Sequence, residues 1–251
     1  MGGASRNDKK RRQEASDRRL AAAGIRPEAK SAPDRTPLIV VGAVVVVAVV
    51  VGLAVWFVNR PATEAVTPAY ASEVSGAVIA AGTGPVVIDV YEDYLCPQCE
   101  RFAERYGDEL TAALNRNEIT VRYHAIAILD PLTNPEGYST RAANAVVCSV
   151  PAGIFPAYHG WLFDSQPVEG SAGLTDEELI AAGTELGATG NFAGCVTGGT
   201  NSPAIAIETG TAAADPSLRG ERGFGTPTVA IDGTKIDLNR TSWLQDAIAA
   251  G

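Results

Sequence analysis

The sequence is short of the side chains that hold metals and of the positive charge that holds nucleic acid. Its 251 residues include two histidines, His124 and His159, and four cysteines. A CxxC pair can form half of a zinc site, but the other half needs two more ligands in a matching cluster. Cys148 and Cys195 are far apart in the chain and are not paired as CxxC, so no metal site is expected. From residue 36 onward ten Lys/Arg stand against twenty-four Asp/Glu, a net charge of −14. Phosphate contacts need clustered Lys/Arg, so this acidic body is not a nucleic-acid binder. There is no internal repeat and no low-complexity tract beyond one valine-rich run.

That run is itself an absence: from Leu38 to Val58 there are twenty-one residues without a charge. A helix of that length spans roughly 30 Å, the hydrocarbon thickness of a bilayer. Val and Ile are mediocre helix formers in water, but in lipid the backbone has no other partner. Arg26, Lys30 and Arg35 flank one end and only Arg60 the other. The positive-inside bias therefore keeps the N-terminus cytoplasmic and exports residues 60–251. Trp56 and Phe57 fall at an interfacial aromatic belt. A cleavable signal peptide would have an apolar core of about 7–15 residues with a small-residue site close behind. Here the core is longer, and the Ala69-Tyr70-Ala71 pattern lies more than ten residues beyond it. An uncleaved single-pass anchor in the plasma membrane, contacting lipid through residues 37–58, is the expectation.

The anchor divides the chain. Residues 1–36 read as a basic, mostly disordered cytoplasmic tail, and 59–74, with two prolines and many small residues, as a linker. Residues 75–251 are long enough for one well-buried core. Within them PVVIDVY (85–91) is β-branched and strand-like. Phe102, Ala103, Tyr106, Leu110, Ala113 and Leu114 then keep helical spacing, and 118–129 is the next strand. That order makes a βαβ unit with parallel strands. An Ala-rich insertion (about 131–215) has helical windows at 138–149, 155–164, 175–187 and 203–213. Two short strands around Asp232-Gly233 and a helix at 241–249 close the chain. The fold class is α/β.

Cys96 and Cys99 stand at the start of the first long helix. CxxC spacing puts the two sulfurs one turn apart on one face. The helix tip, with free N–H groups and the positive dipole end, favours a thiolate at Cys96. Cys99 continues the apolar stripe and should be the buried partner. Pro97 suits the first turn. An oxidised pair could accept a thiolate at Cys96, form a mixed disulfide and be left reduced when a second thiol resolves it. An inert structural disulfide is the competing reading. Cys148 and Cys195 read as a structural disulfide worth roughly 4 kcal/mol in the chain-entropy model. Free buried cysteines, or a second redox pair, are the alternatives.

Residues 86–102, VVIDVYEDYLCPQCERF, resemble the active-site strand, loop and helix of the DsbA-like thioredoxin family. Residues 225–233, GTPTVAIDG, resemble its second signature. The resemblance covers roughly 80–251 and implies a thioredoxin-like fold with a helical insertion. It implies a protein disulfide oxidoreductase without a cofactor, with Cys96 and Cys99 catalytic. Pro227 would be cis, with Thr226, Pro227, Pro97 and Gln98 meeting an extended substrate. It implies an oxidase forming disulfides in exported proteins with cysteine thiols, reoxidised by a quinone-linked membrane protein (DsbB-like or vitamin K epoxide reductase-like). A tethered reductase or isomerase is one alternative, and a non-catalytic chaperone or copper-handling module another. The sequence departs from the pattern twice. Many relatives carry a buried acid where this chain has Val90, leaving Glu92 or Asp93 as substitutes unless they are solvated loop charges. The Pro-Gln dipeptide lacks the imidazole of the strongest oxidants, so a Cys96 pKa above about 7 is expected.

Overall fold

The computed structural model describes residues 4–24 and 66–251. The expected anchor at 37–58 lies outside them, and among the described residues no helix is long and apolar enough to cross a membrane. Helix α1, Ala4–Ala22, stands where the tail was expected to be mostly disordered, and residues 25–36 of that tail lie outside the described residues. Its Ala, Arg, Lys, Gln and Glu residues are strong helix formers, and side chains from Asp8 onward are exposed. Propensity, not a buried face, accounts for it.

The second unit, Glu64–Gly251, is built on a six-stranded sheet. Its strands are β1 (Ser72–Ser75), β2 (Val78–Ala81), β3 (Val86–Glu92), β4 (Ile119–Ala125), β5 (Thr228–Ile231) and β6 (Thr234–Lys235). The order across the sheet is β1-β2-β4-β3-β5-β6. In this sheet only β3 and β4 are parallel, from Val86↔Ile119 to Glu92↔Ala125. Helix α2, Pro97–Asn115, supplies the crossover that a parallel pair requires. It buries Cys99, Phe102, Tyr106, Leu110, Ala113 and Leu114 along one stripe.

Strand β5 pairs antiparallel with the other side of β3, Tyr91 opposite Thr228. This register sets the site: the end of β3 and the residue before β5 lie one strand width apart, about 4.8 Å. At the far end of β5, Asp232 and Gly233 both have positive φ, 51° and 72°, as a two-residue hairpin turn demands.

The insertion forms a helical layer: α3 (Tyr138–Ser149), α4 (Phe155–Asp164), α5 (Asp176–Glu185), α6 (Phe192–Thr197) and α7 (Ser202–Ala214). Helix α3 is its buried centre, with Ala142, Ala143, Ala145 and Val146 fully covered. A disulfide joins Cys148 on α3 to Cys195 on α6, with a Cα–Cα distance of 5.9 Å. Helix α8, Trp243–Ala250, closes the chain and seats Trp243 against Phe102 and Tyr106 of α2.

The linker reading of 59–74 fails from Val66 onward. The Ala69 backbone donates to Asn115 Oδ1 at 2.7 Å, and Asn115 Nδ2 returns a bond to the Thr67 carbonyl at 2.9 Å. Strand β1 then begins at Ser72 and pairs with β2. Small, polar edge residues carry little periodic signal, so this hairpin was invisible in the sequence. Helix α6, six residues long, was missed for the same reason.

Candidate active site

Two segments distant in sequence meet at the tip of α2. Cys96 occupies the position just before the helix, with φ −80° and ψ 115°. Its Sγ lies 3.2 Å from the carbonyl oxygen of Thr226, to which the thiol donates. The Thr226–Pro227 peptide bond is cis. Pro97 and Gln98 are exposed beside the pair. Both cysteines are free, with Cys96 6% exposed and Cys99 1%. Cys96 is thus the more reachable of the two, but through a narrow opening. Part of its cover comes from the loop after α4, where Gln166 Nε2 donates to the Cys96 carbonyl at 3.2 Å.

The two thiols are pushed apart. The hydrogen bond from Cys99 brings Cys96 down to about 6; burial opposes it, while the backbone of Cys99 and Gln98 acts with it. Burial raises Cys99 well above the ordinary thiol range, and the neighbouring Cys96 adds to the rise. A low first thiol and a high second one make an asymmetric pair in which Cys96 is the more readily ionised.

Glu92 and Asp93 are not solvated loop charges: they are 2% and 0% exposed. Asp93 is braced by the Leu95 N–H (2.9 Å), the Leu129 N–H (2.9 Å) and the Ser139 hydroxyl (2.7 Å). Burial nevertheless raises it to about 6. Its backbone reaches the Cys99 sulfur. Glu92 Oε1 accepts from the Tyr94 hydroxyl at 3.0 Å and lies 2.6 Å from His159 Nε2. Glu92 also borders a cavity of ≈140 Å³ between α2 and α4, roofed by Pro68 and Tyr70. A larger cleft, ≈480 Å³, is lined by Val86, Ile231, Trp243 and neighbours and by none of the site residues.

The thioredoxin family model matches residues 73–250. The chain belongs to the thioredoxin family. Reduced DsbA from Mycobacterium tuberculosis is 27% identical, with a TM-score of 0.57 over 72% of this chain and 91% of that one. The disulfide bond oxidoreductase DsbG from the same organism is 28% identical, with a TM-score of 0.57 over 74% and 88%. The fold is thus DsbA-like. The serine/threonine-protein kinase PknE of Mycobacterium tuberculosis H37Rv is 28% identical over 175 residues, 67% of this chain. That stretch is 31% of PknE, so the chain spans about a third of the length of the curated relatives it matches.

Within this DsbA-like thioredoxin frame two expectations are corrected and one contact is new. Cys96 lies near 6, not above 7, because the donors around its sulfur outweigh the missing imidazole of the dipeptide. Val90 is fully buried, and the acid next to the cysteines comes from the strand end and the loop after it. His159 of α4 faces a buried carboxylate. A lone His in an aromatic helix carries no signal of that partner, because Glu92 is 67 residues away. Gln166 and Ser139 were missed for the same reason.

Proposed function

We propose that this thiol–disulfide oxidoreductase works as a membrane-anchored oxidase of exported proteins through Cys96 and Cys99. The observation that carries it is the Cys96 sulfur at a helix tip, held 3.2 Å from the carbonyl before a cis proline and ionising near 6. With the pair oxidised, a client thiolate attacks Cys96 Sγ; the Cys96–Cys99 bond breaks and its electron pair goes to Cys99. Cys99, high in pKa, takes up a proton. Asp93, lifted by burial to about 6 and reaching the Cys99 sulfur through its backbone, is the donor we assign. A second client thiolate attacks the client sulfur of the mixed disulfide and expels the stable Cys96 thiolate. The client gains a disulfide and the enzyme is left reduced.

Thr226, cis Pro227 and the exposed Pro97-Gln98 edge are the proposed client contacts, with the Thr226 backbone offered to an extended chain. Reoxidation is assigned to a quinone-linked membrane protein. Anchoring by residues 37–58 rests on their composition and flanking charges alone. Refolding of a reduced, unfolded client by the oxidised protein tests the activity: one client disulfide should form per enzyme pair consumed, and Cys96→Ser should abolish it. Cys99→Ala should accumulate mixed disulfides through Cys96. A pair found mostly reduced in cells would instead favour a tethered reductase or isomerase.

A further inference from the structure

The disulfide of the helical layer is not sealed. Cys148 and Cys195 line a surface cleft of ≈240 Å³ together with Pro151, Ala152, Phe192 and Thr200. Cys148 is 1% exposed, whereas Cys195 is partly exposed. One amide faces both sulfurs: Asn201 Nδ2 lies 3.3 Å from Cys148 Sγ and 3.6 Å from Cys195 Sγ. That amide is itself held, because Asn201 N and Nδ2 both donate to Asn144 Oδ1, at 2.9 and 3.2 Å. Asn144 Nδ2 in turn donates to the carbonyls of Cys195 and Val196, at 3.3 and 3.1 Å. A disulfide serving only as a staple gains little from a positioned N–H, since its sulfurs are weak acceptors. A thiolate is a strong one.

We propose that Cys148–Cys195 is a second redox site, opened and reclosed by a low-molecular-weight thiol that docks in this cleft. The thiolate of that molecule attacks Cys195 Sγ, the more exposed end. A bond forms between the incoming sulfur and Cys195, the Cys148–Cys195 bond breaks, and its electron pair passes to Cys148 Sγ. Asn201 Nδ2 stabilises the new thiolate until water protonates it. A second thiolate attacks the incoming sulfur and frees Cys195, giving two protein thiols and one small-molecule disulfide. The reverse sequence recloses the bond. The cleft falls below the usual 300–1,000 Å³ of larger ligand sites, which favours a small thiol as occupant. The Asn144 bonds keep α3 and α6 together when the sulfurs part, so opening does not require unfolding.

A full-length variant carrying Cys96→Ser and Cys99→Ser isolates this bond, so the result is independent of the CxxC chemistry. Incubated with reduced glutathione under native conditions, it should release two thiols, counted by alkylation and intact mass. Its far-UV circular dichroism should stay unchanged, and low urea should leave the rate unaltered. Asn201→Ala, which removes the donor to the developing thiolate, should slow release roughly ten-fold. Thr200→Trp, filling the cleft, should slow it as well. A rate that climbs with urea in step with unfolding, or that Asn201→Ala accelerates, would show reduction through the unfolded chain and overturn the proposal. So would a bond that stays closed until the protein denatures.

Discussion

A sulfur that ionises near 6 is mostly thiolate at neutral pH, and the first cause of that value is the neighbouring Cys99 thiol. Thiolate absorbance of the reduced protein should therefore titrate with a midpoint of about 6. In Cys99→Ala the midpoint should rise by about one unit, the scale of one lost hydrogen bond; an unchanged midpoint would assign the effect to the helix tip instead. Asp93 makes a second prediction. Burial lifts its pKa from 3.8 to about 6. The folded state thus binds this proton more tightly than the unfolded one. The stabilisation is complete below about 3.8 and is lost as pH rises through about 6. Asp93→Asn should flatten that loss in urea unfolding between pH 4 and 8. Asp93→Ala should cost about 2–3 kcal/mol or more at any pH, because the N–H groups of Leu95 and Leu129 lose their acceptor.

Between elements, a buried polar tie joins the sheet to α7. His124 on β4 places Nε2 at 2.9 Å from Asp89 of β3 and Nδ1 at 2.7 Å from Glu208 of α7. Arg122 holds Asp89 bidentately at 2.5 and 2.6 Å, and Tyr91 stacks on the imidazole with centroids 4.0 Å apart. An imidazole facing two carboxylates donates to both only when doubly protonated. Burial alone would lower its pKa, but Asp89 and Glu208 outweigh burial and raise it. This tie is therefore whole below the unfolded value of 6.5 and is lost as pH rises through the higher folded value. Asp89 runs the opposite way: burial would raise it, yet His124 and Arg122 hold it low, so its contribution fails on acidification below about 3.8. Glu208→Gln should lower the His124 midpoint in an NMR titration and shift the alkaline loss of stability to lower pH. A midpoint that does not move would place Glu208 outside the tie. The start of α5 is a simpler case. Thr175 and Glu178 form a reciprocal capping box, and Thr175→Ala should cost about 1 kcal/mol.

At the scale of the whole molecule, the elements with strong periodicity were legible and those without it were not. The β-branched run of β3, the apolar stripe of α2 and the Asp232-Gly233 turn each announced themselves locally. Hairpin β1–β2 and helix α6 did not, since they are short and held by what they pack against. The same division runs through the site. Two CxxC sulfurs, a proline before a strand and an uncharged twenty-one-residue run are readable from the chain alone. They determined the family resemblance, the chemistry expected of Cys96 and the expectation of an anchor. Tertiary structure alone decided that Glu92 and Asp93 are buried, that His159 faces Glu92, and that Asn201 meets the Cys148–Cys195 bond. The contacts that decide them include ones across 46, 53 and 67 residues. Local propensity is blind at that range, and the sign of a pKa shift depends on burial and partners that only the folded chain brings together.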